Sequence, residues 1–466
     1  RIFQLSPRFI TVYVKEYLSG NASKYNNNFS TVFLNNIYNT ISDALVKDGT
    51  KKEIKMDVLI ALYSKIAFES YIDKSYPISY LKITKTVNEF FEAKGLVGFS
   101  KNQYTRALFS SNIFMESSSN NSYVFSSTSY LAYFIARHIY GFFFKSKGRE
   151  MVNDLIDNID IRINDDIILF LTFLLGDQGD EILLEVIDNA NNFMADWEEL
   201  DLDEINIRFL KNVKESIKLP QPNEQDVVEK NRIQNEIENE TLEDRELNHV
   251  NVFEREHEKK SVIDSIKAYK SIEFISKVMP DLLINLDEKD KIKVINAYYS
   301  YPNKMLYNLF SQIDNNFDKV LLNLKKMINE HENSDENIDK KMESLITYIS
   351  QIIIASVYSF ETDIGITDEN LLLILKHSKD SATHNLMNIF AYAKLEMTKE
   401  LLDKALKLKK SENAIINQVL SFAVASLFID SPKLMYKSDS TTSKLRQYFL
   451  EHDPKKVKAI KDRKSI

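Results

Sequence analysis

The nine glycines are the first residues to test for chemistry, because a phosphate-binding loop needs two of them five positions apart, the second followed by Lys and then Ser or Thr. They occupy positions 20, 49, 95, 98, 141, 148, 176, 179 and 365, and no two are five apart. The loop of backbone N–H groups that would cradle a nucleotide's phosphates is therefore absent from these 466 residues. We expect this chain itself not to be catalytic, although a parent protein containing it can still be an ATPase.

The seven histidines give no metal-binding spacing, since none of them forms a His-x-x-x-His pair. His377 and His384 are seven residues apart, but the intervening Ser-Lys-Asp-Ser is expected to end the helix between them. We predict both to be surface residues, and His138, in an aromatic segment, to be a partly buried packing residue. Because the chain also has no cysteine, we predict no metal site and no cofactor held within this chain.

A cluster of carboxylates lies beside an apolar run in the first half of the chain. It contains Asp154, Asp157, Asp160, Asp165 and Asp166. A metal site is one interpretation, and helix capping with solvation is the favoured one. The sequence has no Gly-x-Ser-x-Gly elbow and no plausible nucleophile–His–Asp order, so we name no catalytic residue.

The composition favours long helices joined by short polar connections. Apolar residues make up 44% of the chain, while Gly and Pro, which turns require, number only nine and eight. Sixty basic and 68 acidic residues give a net charge of −8. A protein whose main function is to bind duplex DNA usually has a basic domain instead. The longest apolar runs are about ten residues, half of what a membrane span needs, and the cysteine-free chain is expected in the cytoplasm. Because it begins with Arg1 rather than Met, we expect a piece of a longer protein.

Residues 76–145 show an order of elements that is typical of a winged helix. Helical periodicity covers Tyr80–Ala93 and Lys101–Ser111. Two short alternating segments, Ile113–Met115 and Tyr123–Phe125, flank a Ser- and Asn-rich turn and predict a β-hairpin. An aromatic helix, Thr128–Phe144, then closes the unit.

The rest of the chain is predicted to be helical, so the fold class is mainly α. We predict a helical domain over 1–75, the winged helix over 76–145, a helical bundle over 146–218, an acidic linker over 219–260 and an α-helical, repeat-like sensor domain over 261–466. In the last segment, apolar helices alternate with short polar connectors, as in an α-solenoid. Its predicted helices are Val262–Met279, Glu288–Tyr299, Met305–Asn329, Asp339–Ser359, Asp368–His377, Asn385–Lys394, Thr398–Lys410, Ala414–Phe428 and Thr441–Glu451.

Nucleic-acid binding is an alternative function for the winged helix. The helix before the hairpin would enter the major groove, and it carries Lys101 and Arg106. The hairpin loop, however, has no Lys or Arg, although phosphate neutralisation usually dominates affinity for DNA. A winged helix used as a packing module is therefore the favoured interpretation.

Four segments resemble STAND NTPases of the NACHT (NLR-like) group. Tyr123-Val-Phe-Ser-Ser-Thr-Ser-Tyr-Leu-Ala-Tyr-Phe-Ile-Ala-Arg137 resembles the end of their winged helix, and Leu5-Ser-Pro-Arg-Phe-Ile-Thr resembles the start of their helical domain. Asp165-Asp-Ile-Ile-Leu-Phe-Leu-Thr-Phe-Leu-Leu-Gly-Asp177 is similar to the helix that follows the winged helix. Ala268-Tyr-Lys-Ser-Ile-Glu-Phe-Ile looks like the first helix of the sensor region of bacterial members.

The resemblance implies a regulatory and ligand-sensing portion of an NTPase switch, in bacterial anti-phage defence, whose NTPase core and effector precede Arg1. ATP or ADP with Mg²⁺ would bind the parent, a trigger protein such as a phage component would open it, and self-association would activate it. Carried over residue by residue, Pro7 would touch adenine, and Ser127 would stand where the family has a phosphate-contacting His. Serine can hydrogen-bond a phosphate but lacks the imidazolium charge. The alternatives are a winged-helix DNA-binding regulator and a helical scaffold for protein–protein interaction.

Overall fold

The computed structural model describes residues 29–47, 49, 54–96, 98–117, 121–205, 207–211, 252–257, 259–329, 338–408, 413–430 and 440–445. These residues form seventeen α-helices and three short strands, so the predicted mainly α class is confirmed. They fall into two compact units, one within Arg1–Asn189 and Pro222–Lys270 and the other within Ala190–Gln221 and Ser271–Ile466. The first unit therefore contains the predicted winged-helix segment together with the end of the predicted linker.

The first unit combines helices with a small antiparallel sheet. Its elements are α1 (Phe29–Lys47), α2 (Met56–Ile72), β1 (Ile78–Ser79), α3 (Tyr80–Lys94), α4 (Lys101–Ser110), β2 (Phe114–Glu116), β3 (Ser122–Phe125), α5 (Thr128–Tyr140), α6 (Ser146–Asp157) and α7 (Asn164–Leu175), followed by the start of α8 (Asp180–Phe193). The strand order is β1-β3-β2. Both predicted hairpin strands form within one residue of their expected positions, and Phe114 pairs with Phe125 across them.

Local sequence signals explain most of the helix ends in this unit. The hydroxyls of Ser79 and Ser100 accept backbone N–H groups at the start of α3 and α4. Gly95 ends α3 in the left-handed conformation, with φ of 58°. The predicted aromatic helix is shorter than expected, because α5 ends at Tyr140 and the chain turns through residues 141–144.

Helix α5 is the centre of the first unit's core. It packs against α2 on one side and α7 on the other, and Leu131–Ala136 are buried without interruption. Tyr63 of α2 stacks on Phe134 with ring centroids 5.2 Å apart. The Tyr63 hydroxyl donates a hydrogen bond to the carbonyl of Leu108 at 2.7 Å, which ties α2 to the end of α4.

Part of the predicted acidic linker is packed rather than solvated. Residues 219–250 lie outside the described part of the chain, but Phe253 is buried between Tyr71 and Tyr76, with ring centroids 5.5 and 5.7 Å away. Val252 is also buried. The two apolar side chains in an otherwise polar run therefore anchor residues 252–257 to the first unit.

The second unit contains only helices as regular secondary structure among its described residues. Its elements are the end of α8, α9 (Arg208–Lys211), the second half of α10 (Lys260–Leu282), α11 (Glu288–Asn315), α12 (Phe317–Asn329), α13 (Ile338–Gly365), α14 (Asp368–Lys376), α15 (Ala382–Lys394), α16 (Thr398–Leu408) and α17 (Ala414–Asp430). Residues 440–445 are also helical. Helix α15 packs against α13, α16 and α17 and is buried from Ala382 to Ala393.

The break predicted between Tyr299 and Met305 is wrong, because α11 continues through Pro302. Proline removes a helical N–H and normally kinks or ends a helix. Here the Asn303 side chain donates to the carbonyl of Tyr299 at 2.6 Å and accepts the hydroxyl of Tyr358 at 2.6 Å. The helix continues to Asn315, and Asn316 is its C-cap. The two hydrogen bonds hold the Asn303 side chain, which follows the proline, between α11 and α13.

Among the described residues, one stretch of α13, Leu345–Thr362, is long and apolar enough to cross a membrane by length and composition. Its mean hydropathy is 1.2 over 18 residues. Of this stretch, 44% is buried inside the protein, and buried core helices meet the same criteria of length and composition. Helix α13 packs against α11, α15 and α17.

Candidate functional site

The two candidate nucleic-acid contacts lie on α4, whose position is fixed by its buried face. Tyr104 is fully buried, and its hydroxyl accepts the backbone N–H of Lys55 at 2.9 Å. Lys101 forms an ion pair with Glu92 of α3 at 3.1 Å, while Arg106 is exposed. Glu92 therefore offsets part of the positive charge that α4 could offer to a phosphate backbone.

Ser127, the candidate nucleotide contact, is the N-cap of α5. Its hydroxyl oxygen accepts the backbone N–H of Ser129 at 3.2 Å. The hydroxyl hydrogen can still be donated to a phosphate oxygen. Pro7, the other residue carried over from the resemblance, lies outside the described residues, so its position relative to Ser127 is not defined.

The prediction that His138 is a partly buried packing residue is confirmed, and the prediction that His384 lies on the surface is wrong. His138 stacks on Phe68 with ring centroids 4.3 Å apart. Burial, with the nearby charge of Lys65, lowers its pKa to about 4, as suits a neutral packing residue. His384, predicted to be on the surface, is instead buried and stacks on Tyr299 at 4.1 Å, because α15 is covered on all sides.

Three carboxylates of the acidic cluster are engaged by side chains that are distant in the sequence. Within the described ranges no group of His, Cys, Asp and Glu could hold an ion. Two of its carboxylates meet cations from about a hundred residues later: Asp160 pairs with Arg255, and Asp165 pairs with Lys270, each at 2.5 Å. The Asp157 carboxylate accepts from the side chain of Asn189 at 2.5 Å. Three of the five carboxylates therefore form ion pairs or hydrogen bonds with distant side chains, and helix capping is not their main role.

These long-range pairs frame a cleft of about 450 Å³ within the first unit. It lies between the turn after α6, the segment 252–257 and the first half of α10. It is lined by Asp160, Arg162, Arg255, Glu256, His257 and Lys270, with Ile266 as its apolar wall. A volume of this size is within the ~300–1,000 Å³ range of small-molecule sites.

Sequence reasoning did not identify this cleft. Its basic side chains come from three segments: Arg162 lies beside an acidic cluster, Arg255 and His257 lie in an acidic run, and Lys270 lies in α10. The available signal was the Glu-Arg-Glu-His sequence at 254–257, in which Arg and His interrupt the acidic residues. Comparisons of the chain with protein-family models, curated proteins and solved structures gave no match.

Proposed function

We propose that these 466 residues are the regulatory and ligand-sensing portion of a STAND-type NTPase switch. The supporting observation is the connectivity of the first unit: β1, two helices, β2 and β3 in sequence, with β3 in the middle of the sheet. This is the arrangement expected of a winged helix. In the proposal, the NTPase core that binds ATP or ADP with Mg²⁺ and the effector belong to a longer cytoplasmic parent protein.

A packing role for the winged helix is favoured over reading of DNA. Helix α5, which follows the sheet, is embedded between α2 and α7, so the module is part of a larger core. Lys101 is engaged by Glu92, and the hairpin loop contains no Lys or Arg. These features suit a module that transmits a change of position to its neighbours better than one that grips phosphates.

The second unit is the proposed sensor. Its described residues are consecutive helices with short connections, arranged around the buried helix α15. Such helical arrays can present extended surfaces to protein partners. The trigger protein, such as a phage component, would bind there and promote self-association of the parent in anti-phage defence.

The first experiment measures phosphate release from ATP and Mg²⁺ by the purified chain. No turnover above the blank is expected, and turnover by residues 1–466 would refute the proposal. The coding sequence upstream of Arg1 should contain Gly-x-x-x-x-Gly-Lys. If no such motif is found there, the helical-scaffold alternative is favoured.

A second experiment tests Ser127 in the parent protein with two variants that both preserve the helix cap. Asn and Asp cap helices about equally well, but only Asp adds a negative charge. If the Ser127 hydroxyl faces a phosphate, Ser127→Asp should weaken ADP binding by at least ~10-fold, while Ser127→Asn changes it little. Equal affinities for the two variants would remove Ser127 from the nucleotide site.

A third experiment addresses DNA binding directly. Duplex DNA is titrated into the chain at low salt and followed by fluorescence anisotropy, with Lys101→Ala and Arg106→Ala as variants. The proposal expects no measurable binding by any of the three proteins. Salt-dependent binding that falls in both variants would instead establish the DNA-binding regulator.

A further inference from the structure

The cleft of the first unit holds one guanidinium in a fixed orientation. Arg255 donates from Nε to Asp160 Oδ2 at 2.5 Å and from Nη2 to Asp160 Oδ1 at 3.1 Å. Nη2 also donates to Asn158 Oδ1 at 2.9 Å. The Asp160 side chain is only 1% exposed, so this bidentate pair is anchored in the protein. An arginine has five N–H donors, and the two on Nη1 have no partner in the part of the chain that the structure describes.

A second guanidinium enters the same cleft without a counterion. Arg162 lies two residues after Asp160, is exposed, and forms no ion pair or hydrogen bond with the described residues. The His257 ring, another possible donor, also lines the cleft. Planar guanidinium groups bind phosphate oxygens in a bidentate manner. Two of them in one cleft, one fixed and one unpaired, favour a phosphate group.

The remaining charges restrict the rest of the ligand. Lys270 is engaged by Asp165 at 2.5 Å. Glu256 lines the cleft with an exposed carboxylate, which only accepts hydrogen bonds when ionised. A bare anion would be repelled by Glu256, whereas a ligand with hydroxyl groups beside its phosphate would satisfy it. Ile266 supplies an apolar wall for the carbon skeleton.

We propose that this cleft binds a small phosphorylated sugar, either free or as part of a mononucleotide. The phosphate lies against Arg162 and Nη1 of Arg255, and the sugar hydroxyls donate to Glu256. Ser127 is not among the residues that line the cleft, and this proposal does not depend on the proposed switch function.

The test is calorimetric titration of the full chain with ribose 5-phosphate, AMP, ribose and inorganic phosphate. Ribose 5-phosphate should bind saturably and more weakly as salt is raised. Arg162→Gln should reduce this affinity by at least ~10-fold, since it removes charge-assisted hydrogen bonds. The control is Arg149→Gln, which removes the same charge from the same unit at a residue paired with Glu181 at 2.6 Å and outside the cleft.

Glu256→Gln separates the sugar from the phosphate. It should weaken ribose 5-phosphate relative to inorganic phosphate, because the hydroxyl acceptor loses its charge while repulsion of the phosphate is removed. Tighter binding of AMP than of ribose 5-phosphate identifies a nucleotide ligand, and equal binding identifies a free sugar phosphate; both support the proposal. It is overturned if neither ligand binds at millimolar concentration, if Arg162→Gln behaves like Arg149→Gln, or if inorganic phosphate binds as tightly as ribose 5-phosphate.

Discussion

Glu361 should make the second unit less stable as the pH rises. This glutamate lies on α13 with only 1% of its surface exposed, and its Oε2 atom has no hydrogen-bond partner in the described part of the chain. Burial raises its pKa from 4.5 to about 8, and a hydrogen bond with Ser276 of α10 opposes the shift only in part. On α11, Tyr298 is also fully buried, and the charge of Glu361 adds to the rise of its pKa. The carboxyl group is therefore protonated at neutral pH.

The size of the effect follows from the two pKa values. In the unfolded chain the carboxyl group ionises above 4.5, whereas in the folded chain it keeps its proton up to about 8. Between these values each pH unit lowers the free energy of unfolding by about 1.4 kcal/mol. At pH 7 the loss relative to pH 4 is about 3 kcal/mol. The stabilising contribution is fully present below pH 4.5 and is lost as the pH rises through 8.

The perturbation is Glu361→Gln, which keeps the shape of the side chain and cannot ionise. Its extra amide N–H donors would be buried without partners, at a cost of about 1 kcal/mol. We therefore expect the Glu361→Gln variant to be about 1 kcal/mol less stable than the unsubstituted chain at pH 4 and about 2 kcal/mol more stable than it at pH 7. The sign of the stability difference changes between the two conditions.

The assay is denaturant unfolding followed by the fluorescence of Trp197, the single tryptophan of the chain, which lies in the same unit as Glu361. Burial lowers the pKa of His384 to about 4. The folded chain therefore binds this proton less readily than the unfolded chain, so His384 makes the unit more stable as the pH rises. This effect is opposite to that of Glu361. That contribution is common to both proteins and cancels in their difference. A stability difference that does not vary between pH 4 and 8 would refute the reasoning.

Two further substitutions test how closely the helices are packed. Tyr358→Phe removes the hydroxyl that donates to the buried Asn303 side chain at 2.6 Å, and it should lower the free energy of unfolding by about 1–3 kcal/mol in the Trp197 assay; an unchanged midpoint would mean that the bond adds nothing. Gly148→Ala would place its Cβ 2.4 Å from the carbonyl oxygen of Phe142, so circular dichroism should show a melting temperature well below that of Gly141→Ala, whose nearest contact is 3.3 Å; equal melting temperatures would contradict the packing.

The sequence predicted the elements that depend on neighbouring residues. Helical periodicity and the Ser- and Asn-rich turn act over a few positions, so the ends of α3, α4 and the hairpin strands were found within one or two residues. The break predicted at Pro302 is wrong, and the residue next to the proline makes tertiary contacts. The hydrogen bond that Tyr358 supplies comes from a residue 55 positions away, and no local pattern could reveal it.

The cleft shows why a charge cluster cannot be interpreted from its own segment. Asp160 lies in a run of aspartates, which is expected to be solvated. Arg255 lies in a run of acidic residues, which is expected to be a linker. Folding places them in one bidentate pair and buries the carboxylate. The acidic residue then serves to orient the arginine, because a guanidinium held on two edges can present only its remaining donors. The chemistry of this site therefore arises from the pairing of two segments that each look unremarkable, and only their contact distinguishes a ligand site from a solvated surface.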